Sequence, residues 1–261
     1  MAIRPRKWLD RKLREAAYRR WSHVAEIAAG LGTVRKRSLR EEALVLRRKL
    51  DLVLIRTDRR IELGREALSA LHLPIGTDWR WRPGLMSTPI RPTGIASPES
   101  GDRLGEEAAV WHDCRDSALI LKQISNLRET DLAPFGLEME VFAFSGSFLS
   151  LSIDLPKDAL SGLTRSHILR LETGLSAERA MNVYARLNVL SGPNTDQVTH
   201  HLAELGTNSV GHQVTEFDLA YTEINEKRLE KIWIDLIFES PFMNALQLRE
   251  LFVSRHLRAE F

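Results

Sequence analysis

Met181-Asn182-Val183-Tyr184-Ala185-Arg186-Leu187-Asn188-Val189 alternates apolar and polar residues without a break. Successive side chains of a β-strand point to opposite faces, so this stretch reads as a strand with one buried and one wet side. The same period of two recurs in three other places: Leu137, Met139, Val141 and Ala143 around Glu138 and Glu140; Leu149, Leu151, Ile153 and Leu155 around Ser150, Ser152 and Asp154; and Ile232, Ile234, Leu236 and Phe238 around Lys231, Trp233 and Asp235. Weaker strand patterns lie near 118–124, 167–173, 197–203, 213–221 and 246–253. Turn signals separate them: Ser145-Gly146, Leu155-Pro156-Lys157-Asp158, Gly192-Pro193-Asn194 and Ser240-Pro241. About nine short antiparallel strands at this spacing, with no helices between them, predict a mainly β domain over 111–261, a jelly-roll-like sandwich.

Upstream, the sequence changes twice. Over 66–110, Pro74, Pro83, Pro89, Pro92 and Pro98 sit among Gly76, Gly84, Gly94, Gly101 and Gly105. Proline removes amide donors and glycine adds chain freedom, which predicts a linker or a strap on the sandwich anchored by Trp79 and Trp81. Over 1–65 the pattern is helical. Trp8, Leu9, Leu13, Ala16, Ala17, Trp21, Val24, Ile27 and Ala28 share a broad face, and Gly30-Leu31-Gly32 ends the helix. Ser38-Leu39-Arg40-Glu41 is a capping-box pattern for a second helix carrying Leu44, Leu46, Leu50, Val53 and Leu54, of which Leu52–Ile55 also suits a short strand.

Composition bounds the function classes. The 261 residues are 43% apolar and 28% charged, as in globular proteins. The single cysteine, Cys114, excludes an intramolecular disulfide framework and suits a reducing compartment. There is no apolar run of about 18 residues to span a membrane, and no apolar core of a secretory signal near the N-terminus. The Arg-rich start imitates a transit peptide, but its basic helical character runs on well past the length of one. The expected place is the cytoplasm, with the basic segment at the inner face of the membrane. The net charge of +2 hides an asymmetry: residues 1–65 hold 19 Lys and Arg against 8 Asp and Glu, and residues 66–261 hold 18 against 27. A segment at +11 joined to a domain at −9 either meets an anionic surface or folds against the acidic part.

Five groups of residues carry chemistry. Cys114, in Trp111-His112-Asp113-Cys114, invites a thiolate reading, yet triads are assembled from distant segments rather than neighbours. His200, His201, Glu204 and His212, with Glu216 and Asp218 nearby, form the only histidine cluster, but adjacent strand residues point apart and cannot share one ion. No metal and no cofactor is expected. Glu138 and Glu140 stand roughly 6.5–7 Å apart on one strand face, a spacing that glycosidase carboxylates use and that any solvated strand produces. Trp79, Trp81 and Trp233 with Tyr184, Arg186 and Asn188 combine planar apolar faces with hydroxyl-reading groups, a pattern suited to glycan. Arg4, Arg6, Lys7, Arg11, Lys12, Arg14, Arg19 and Arg20, interleaved with Trp8, Tyr18 and Trp21, suit an anionic membrane surface; nucleic acid is the less favoured partner and a protein partner stays open. No helix-turn-helix, zinc finger, phosphate loop or dinucleotide glycine motif occurs.

Phe144-Ser145-Gly146-Ser147-Phe148-Leu149-Ser150-Leu151, Asp78-Trp79-Arg80-Trp81-Arg82-Pro83, Ala185-Arg186-Leu187-Asn188, Gly192-Pro193-Asn194 and Phe217-Asp218-Leu219-Ala220-Tyr221 together resemble an uncharacterised family of alphaproteobacterial proteins designated only as a domain of unknown function. The resemblance runs from about residue 78 through Met243-Asn244-Ala245-Leu246-Gln247-Leu248-Arg249. It implies a bacterial source and supplies no catalytic residue. The reading is a non-catalytic binding or scaffold protein, its sandwich face recognising glycan and its basic helices tethering it to an anionic surface or partner. The alternatives are a carbohydrate-active or Cys-dependent enzyme and a nucleic-acid-associated protein.

Overall fold

The computed structural model describes residues 5–57, 73–116, 118–128, 130–205 and 211–258. The chain divides into two compact units, Met1–Thr57 and Asp58–Phe261. In the first, helix α1 (Pro5–Ile27) ends in a 3-10 turn over Ala28–Gly30, and helix α2 (Thr33–Thr57) follows. Leu31 is extended, so the Gly-Leu-Gly break falls where the glycines place it. α2 begins five residues before Ser38, so the capping-box residues lie inside the helix. Its first turn is held by Lys36 N–H donating to the Gly32 carbonyl at 3.0 Å, and the Lys36 ammonium closes the preceding 3-10 turn on the Ala29 carbonyl at 2.9 Å. Leu52–Ile55 is helical, not a strand. Among the described residues no helix is long and apolar enough to cross a membrane.

The second unit is a sandwich of two antiparallel sheets. All nine expected strands are present: β5 (Leu119–Ser125), β6 (Phe135–Val141), β7 (Leu149–Asp154), β8 (His167–Ala177), β9 (Met181–Ser191), β10 (Asn194–Leu205), β11 (Gly211–Asp218), β12 (Leu229–Phe238) and β13 (Asn244–Leu257). Four more come from the proline- and glycine-rich stretch: β1 (Thr77–Trp81), β2 (Gly94–Ala96), β3 (Arg103–Leu104) and β4 (Ala108–His112). Within 66–110, expected as a linker or strap, the described part contains these four short strands. Its prolines fall between the strands, where no ladder amide is needed, so the short segments between them still pair. One sheet runs β11-β8-β13-β6-β5-β2, with β1 also paired to β13; the other runs β10-β9-β12-β7-β4-β3.

The core lies between the sheets and follows the alternation. Val183, Ala185, Leu187 and Val189 of β9 face inward with Leu149, Leu151 and Ile153 of β7 and Ile232, Ile234 and Leu236 of β12. Leu137 and Met139 of β6, Leu169 and Leu171 of β8, and Leu246, Leu248, Leu251 and Val253 of β13 meet them from the other sheet. Each fully buried aliphatic side chain contributes about 1.5–3 kcal/mol. At the β9–β10 hairpin only Gly192 and Pro193 separate the strands. Gly192 has a φ of 63°, as the first central residue of a tight primed turn requires, and glycine adopts it without strain.

Two arginines lock the seven-stranded sheet. Register shifts between Leu248 and Glu250 of β13, and the Glu250 carboxylate is buried against Arg82, whose Nε and Nη2 donate to its two oxygens at 2.8 and 2.9 Å. Burial pushes the Glu250 carboxyl up, and the Arg82 charge only partly offsets this. Arg255 of β13 donates from Nε and Nη2 to the Asp78 carboxylate at 2.9 and 2.7 Å and from Nη1 to the carbonyls of Ala159 and Ser161, which fastens β1 and the 3-10 turn Lys157–Leu160 to β13. The Arg255 hydrogen bond holds the Asp78 carboxyl below its ordinary value.

Removing one member of the Arg82–Glu250 pair leaves the other charge buried. Glu250→Ala is expected to lower the unfolding free energy by about 3–5 kcal/mol in chemical denaturation. The apolar double change Arg82→Met with Glu250→Leu should cost less than Glu250→Ala alone. A double variant at least as unstable as the single one would refute this account of the pair.

Candidate functional site

The outward side chains of the six-stranded sheet form an open cleft of about 510 Å³. Strand register places them in rows. Gln197, Asn188, Trp233 and Asp154 lie side by side across β10, β9, β12 and β7. The next row runs Thr199, Arg186, Asp235, Ser152, Ala109 and Arg103, from β10 to β3. The third runs His201, Tyr184, Ile237, Ser150 and Trp111. Phe148, just before β7, closes the Trp111 end.

The floor is charged, with Asp235, Asn188 and Ser152 buried and Arg186 half-buried. Asp235, 3% exposed, accepts Arg186 Nε at 3.1 Å, Arg186 Nη2 at 2.8 Å and Asn188 Nδ2 at 2.9 Å on one oxygen, and the Ser152 hydroxyl on the other. A carboxylate out of water on an open sheet face is tolerable only with such partners. Asn188 is fully buried; its amide nitrogen also donates to the Arg186 carbonyl at 3.2 Å, and its Oδ1 has no donor among the described residues. At the Trp233 end, Asp154 accepts Arg103 Nη2 at 2.9 Å and Lys231 Nζ at 2.8 Å, and the Lys231 ammonium stands 5.1 Å from the centroid of the Trp233 ring.

Of the sequence-derived glycan residues, the cleft brings together Arg186, Asn188 and Trp233. Tyr184 shares the face but packs on His201 with ring centroids 4.9 Å apart, outside the cleft lining. Trp79 and Trp81 belong to β1, in the other sheet; both pack on the core, and Trp79 Nε1 donates to Asp158 at 3.4 Å. The structure does not bring them together with Tyr184, Arg186, Asn188 and Trp233, because β1 pairs with β13 and not with β9 or β12. Sequence reasoning missed Trp111, Phe148, Asp235, Asp154, Lys231, Arg103 and Gln197. Trp111 alternates with the buried Val110 and His112, a signal obscured by the neighbouring glycines and alanines.

The other groups resolve into structural roles. His112 Nδ1 accepts the Cys114 amide at 3.2 Å and Nε2 donates to the Pro98 carbonyl at 3.0 Å, so neither ring nitrogen is left to hold the thiolate. Burial pushes the Cys114 thiol up, but the Ser145 amide and hydroxyl, with the amides of Ala118 and Asp116, outweigh it and leave the thiol below its ordinary value. Asp113 ties the 145–148 loop, accepting the Ser147 amide at 2.7 Å and hydroxyl at 2.6 Å, then the Phe148 amide at 3.2 Å. Phe148 is thereby held at the cleft. Glu138 and Glu140 share Lys122, 2.8 Å from Glu138. Burial raises the Glu138 carboxyl, and Lys122 with Gln247 more than reverses it. His200 lies against Phe217 at 5.3 Å, away from His201. Among the described residues no group of three metal-binding side chains converges; Glu204's side chain lies outside them.

In the N-terminal unit, Lys12, Arg14 and Arg19 are exposed, and Arg20 pairs with Glu42 at 2.6 Å. Arg4 and the side chains of Arg6, Lys7 and Arg11 lie outside the described residues.

Comparison with solved structures finds matches of low identity. The family 11 carbohydrate-binding module from Clostridium thermocellum in complex with a β-1,3-1,4-mixed-linked tetrasaccharide is 8% identical, over 62% of this chain and 96% of its own, with a TM-score of 0.40. The CBM22-1 xylan-binding domain of Paenibacillus barcinonensis Xyn10C is 8% identical, over 64% and 94%, with a TM-score of 0.40. The enzymatically active domain of bacteriophage CBA120 tailspike protein 4 is 9% identical over 60% of this chain, which spans 21% of that one, with a TM-score of 0.40. No curated protein matches. The family of unknown function DUF6478 matches over residues 1–261, and the chain belongs to that family.

Proposed function

We propose that the cleft on the six-stranded sheet binds glycan and that the protein is a non-catalytic binding protein. The observation that carries this reading is the pairing of an exposed tryptophan, Trp111, and a half-buried one, Trp233, with a polar floor between them. Trp233 sits opposite Asp154 and Trp111 opposite Ser150, four residues apart along β7 and two strand spacings across the sheet. Their Cα atoms are therefore about 16 Å apart, the span of a short oligosaccharide. Indole rings stack on the C–H faces of sugar rings, and Trp111 is 45% exposed. Between them the buried side chains of Asp235, Asn188 and Ser152 make the floor polar. Arg186, Gln197 and Lys231 add donors.

Binding rather than hydrolysis is favoured by the carboxylates. A glycosidase needs one carboxyl group protonated and another free to attack or to activate water. Asp235 spends its oxygens on Arg186, Asn188 and Ser152, and Asp154 is shared by two cations.

The N-terminal helices act as the tether to an anionic surface, a membrane headgroup layer at the cytoplasmic face. Residues 1–65 carry +11, and exposed Leu13, Tyr18, Leu50 and Val53 stand among exposed Lys12, Arg14, Arg19 and Lys49. Basic charge with interspersed apolar side chains binds anionic interfaces.

Trp111→Ala and Trp233→Ala should each weaken binding to a glycan identified on an array by about tenfold, or about 1.4 kcal/mol, by isothermal titration calorimetry with the far-ultraviolet spectrum unchanged. Unaltered affinity in both variants would remove the cleft as the site. For the tether, deletion of residues 1–57 should abolish cosedimentation with phosphatidylserine-containing vesicles, and about 0.5 M salt should do the same to the full chain. Equal sedimentation of both forms would refute it.

A further inference from the structure

The charges lining the cleft do not balance. Arg103, Arg186 and Lys231 face two carboxylates, Asp154 and Asp235. Asp235 and Arg186 neutralise each other in the floor, through two hydrogen bonds of 3.1 and 2.8 Å to one buried oxygen. The surplus therefore collects at the Trp233 end. There one carboxylate, Asp154, is shared by Arg103 at 2.9 Å and Lys231 at 2.8 Å, and the side chains of both cations are nearly half exposed. One negative charge cannot neutralise two positive ones. Lys231 Nζ uses one bond on Asp154, of the three that an ammonium can donate, and it stands over the Trp233 ring. A ligand against that ring therefore lies close to the cation.

We propose that this end of the cleft is a subsite for a sugar ring bearing an anionic substituent, a carboxylate or a phosphate, so that the cleft selects acidic over neutral glycan. The inference rests on the glycan reading above and names the ligand class of the same site. A neutral ring stacked on Trp233 would displace water from Lys231 and Arg103 and return no charge for it. An anionic substituent supplies the missing partner through charge-assisted hydrogen bonds, which are stronger than neutral ones. The surplus also raises the encounter rate of acidic ligands at low salt.

The test uses the full chain. A glycan array carrying uronate-bearing, phosphate-bearing and neutral oligosaccharides is followed by calorimetry with matched pairs: an oligogalacturonate trimer and its methyl ester, and a phosphorylated mannotriose and its parent. The charged member of at least one pair should bind about tenfold more tightly at low salt, and which pair shows this identifies carboxylate or phosphate as the substituent. Lys231→Gln, an exposed change, should collapse that preference. Three results would overturn the subsite. Neutral hits as tight as their charged partners would remove it and leave the glycan site standing. A preference that survives in Lys231→Gln combined with Trp233→Ala would assign the charge reading to another surface, the basic helices included. No hit of any kind would remove the glycan site as well.

Discussion

A carboxylate buried on the outer face of a β-sheet is the constraint around which the cleft is built. Asp235 projects from β12 away from the core, where a strand residue is ordinarily wet, yet it is 3% exposed. A charge in that position must be compensated by partners fixed in place. They come from both neighbouring strands: Arg186 and Asn188 from β9 and Ser152 from β7. The three strands are joined through side chains as well as through their ladders, and the floor between Trp111 and Trp233 is polar. Asn188 belongs to the same arrangement. Its amide nitrogen is spent on Asp235 and the Arg186 carbonyl, and its buried oxygen has no donor among the described residues.

The other sheet solves a different problem with the same chemistry. Buried arginines there, Arg82 and Arg255, connect distant parts of the chain to β13, their partners lying 168 and 177 positions away in the sequence. Both are bidentate to carboxylates, the geometry in which a planar guanidinium loses least on ordering. These links incorporate the proline-rich stretch in the sandwich. β1 pairs with β13 and is fastened through Asp78, and Arg82 follows directly after β1. The short helix Gly84–Ser87 is capped by Glu107, whose oxygens accept the Gly84 and Leu85 amides at 2.8 and 3.1 Å. Side-chain bonds over long sequence distances thus replace the regular ladder that the prolines interrupt.

The nearby groups that looked chemical in the sequence support the cleft mechanically. Asp113 ties the 145–148 loop, and Phe148 follows from it. His112 is held between the Cys114 amide and the Pro98 carbonyl, immediately after Trp111. Two residues of the Trp111–Cys114 run thus position a wall of the cleft, and the thiol is packed inside.

The amino-acid sequence by itself determined which residues of each strand look inward, because the period of two is a local property of the chain. It also determined the charge division between the basic helices and the acidic sandwich, and the breaks at Gly30-Leu31-Gly32 and Gly192-Pro193. It did not determine which strands are neighbours, because pairing order follows from non-local packing and from arginine links that no local pattern reveals. Trp233 and Trp111 share a face because β7 lies between β12 and β4, whereas Trp79 and Trp81, equally prominent in the sequence, stand in the opposite sheet. Asp235 shows the limit most clearly. In its strand it reads as one more solvated residue between Ile234 and Leu236, and only the arrival of Arg186, Asn188 and Ser152 from adjacent strands makes it the buried centre of the cleft.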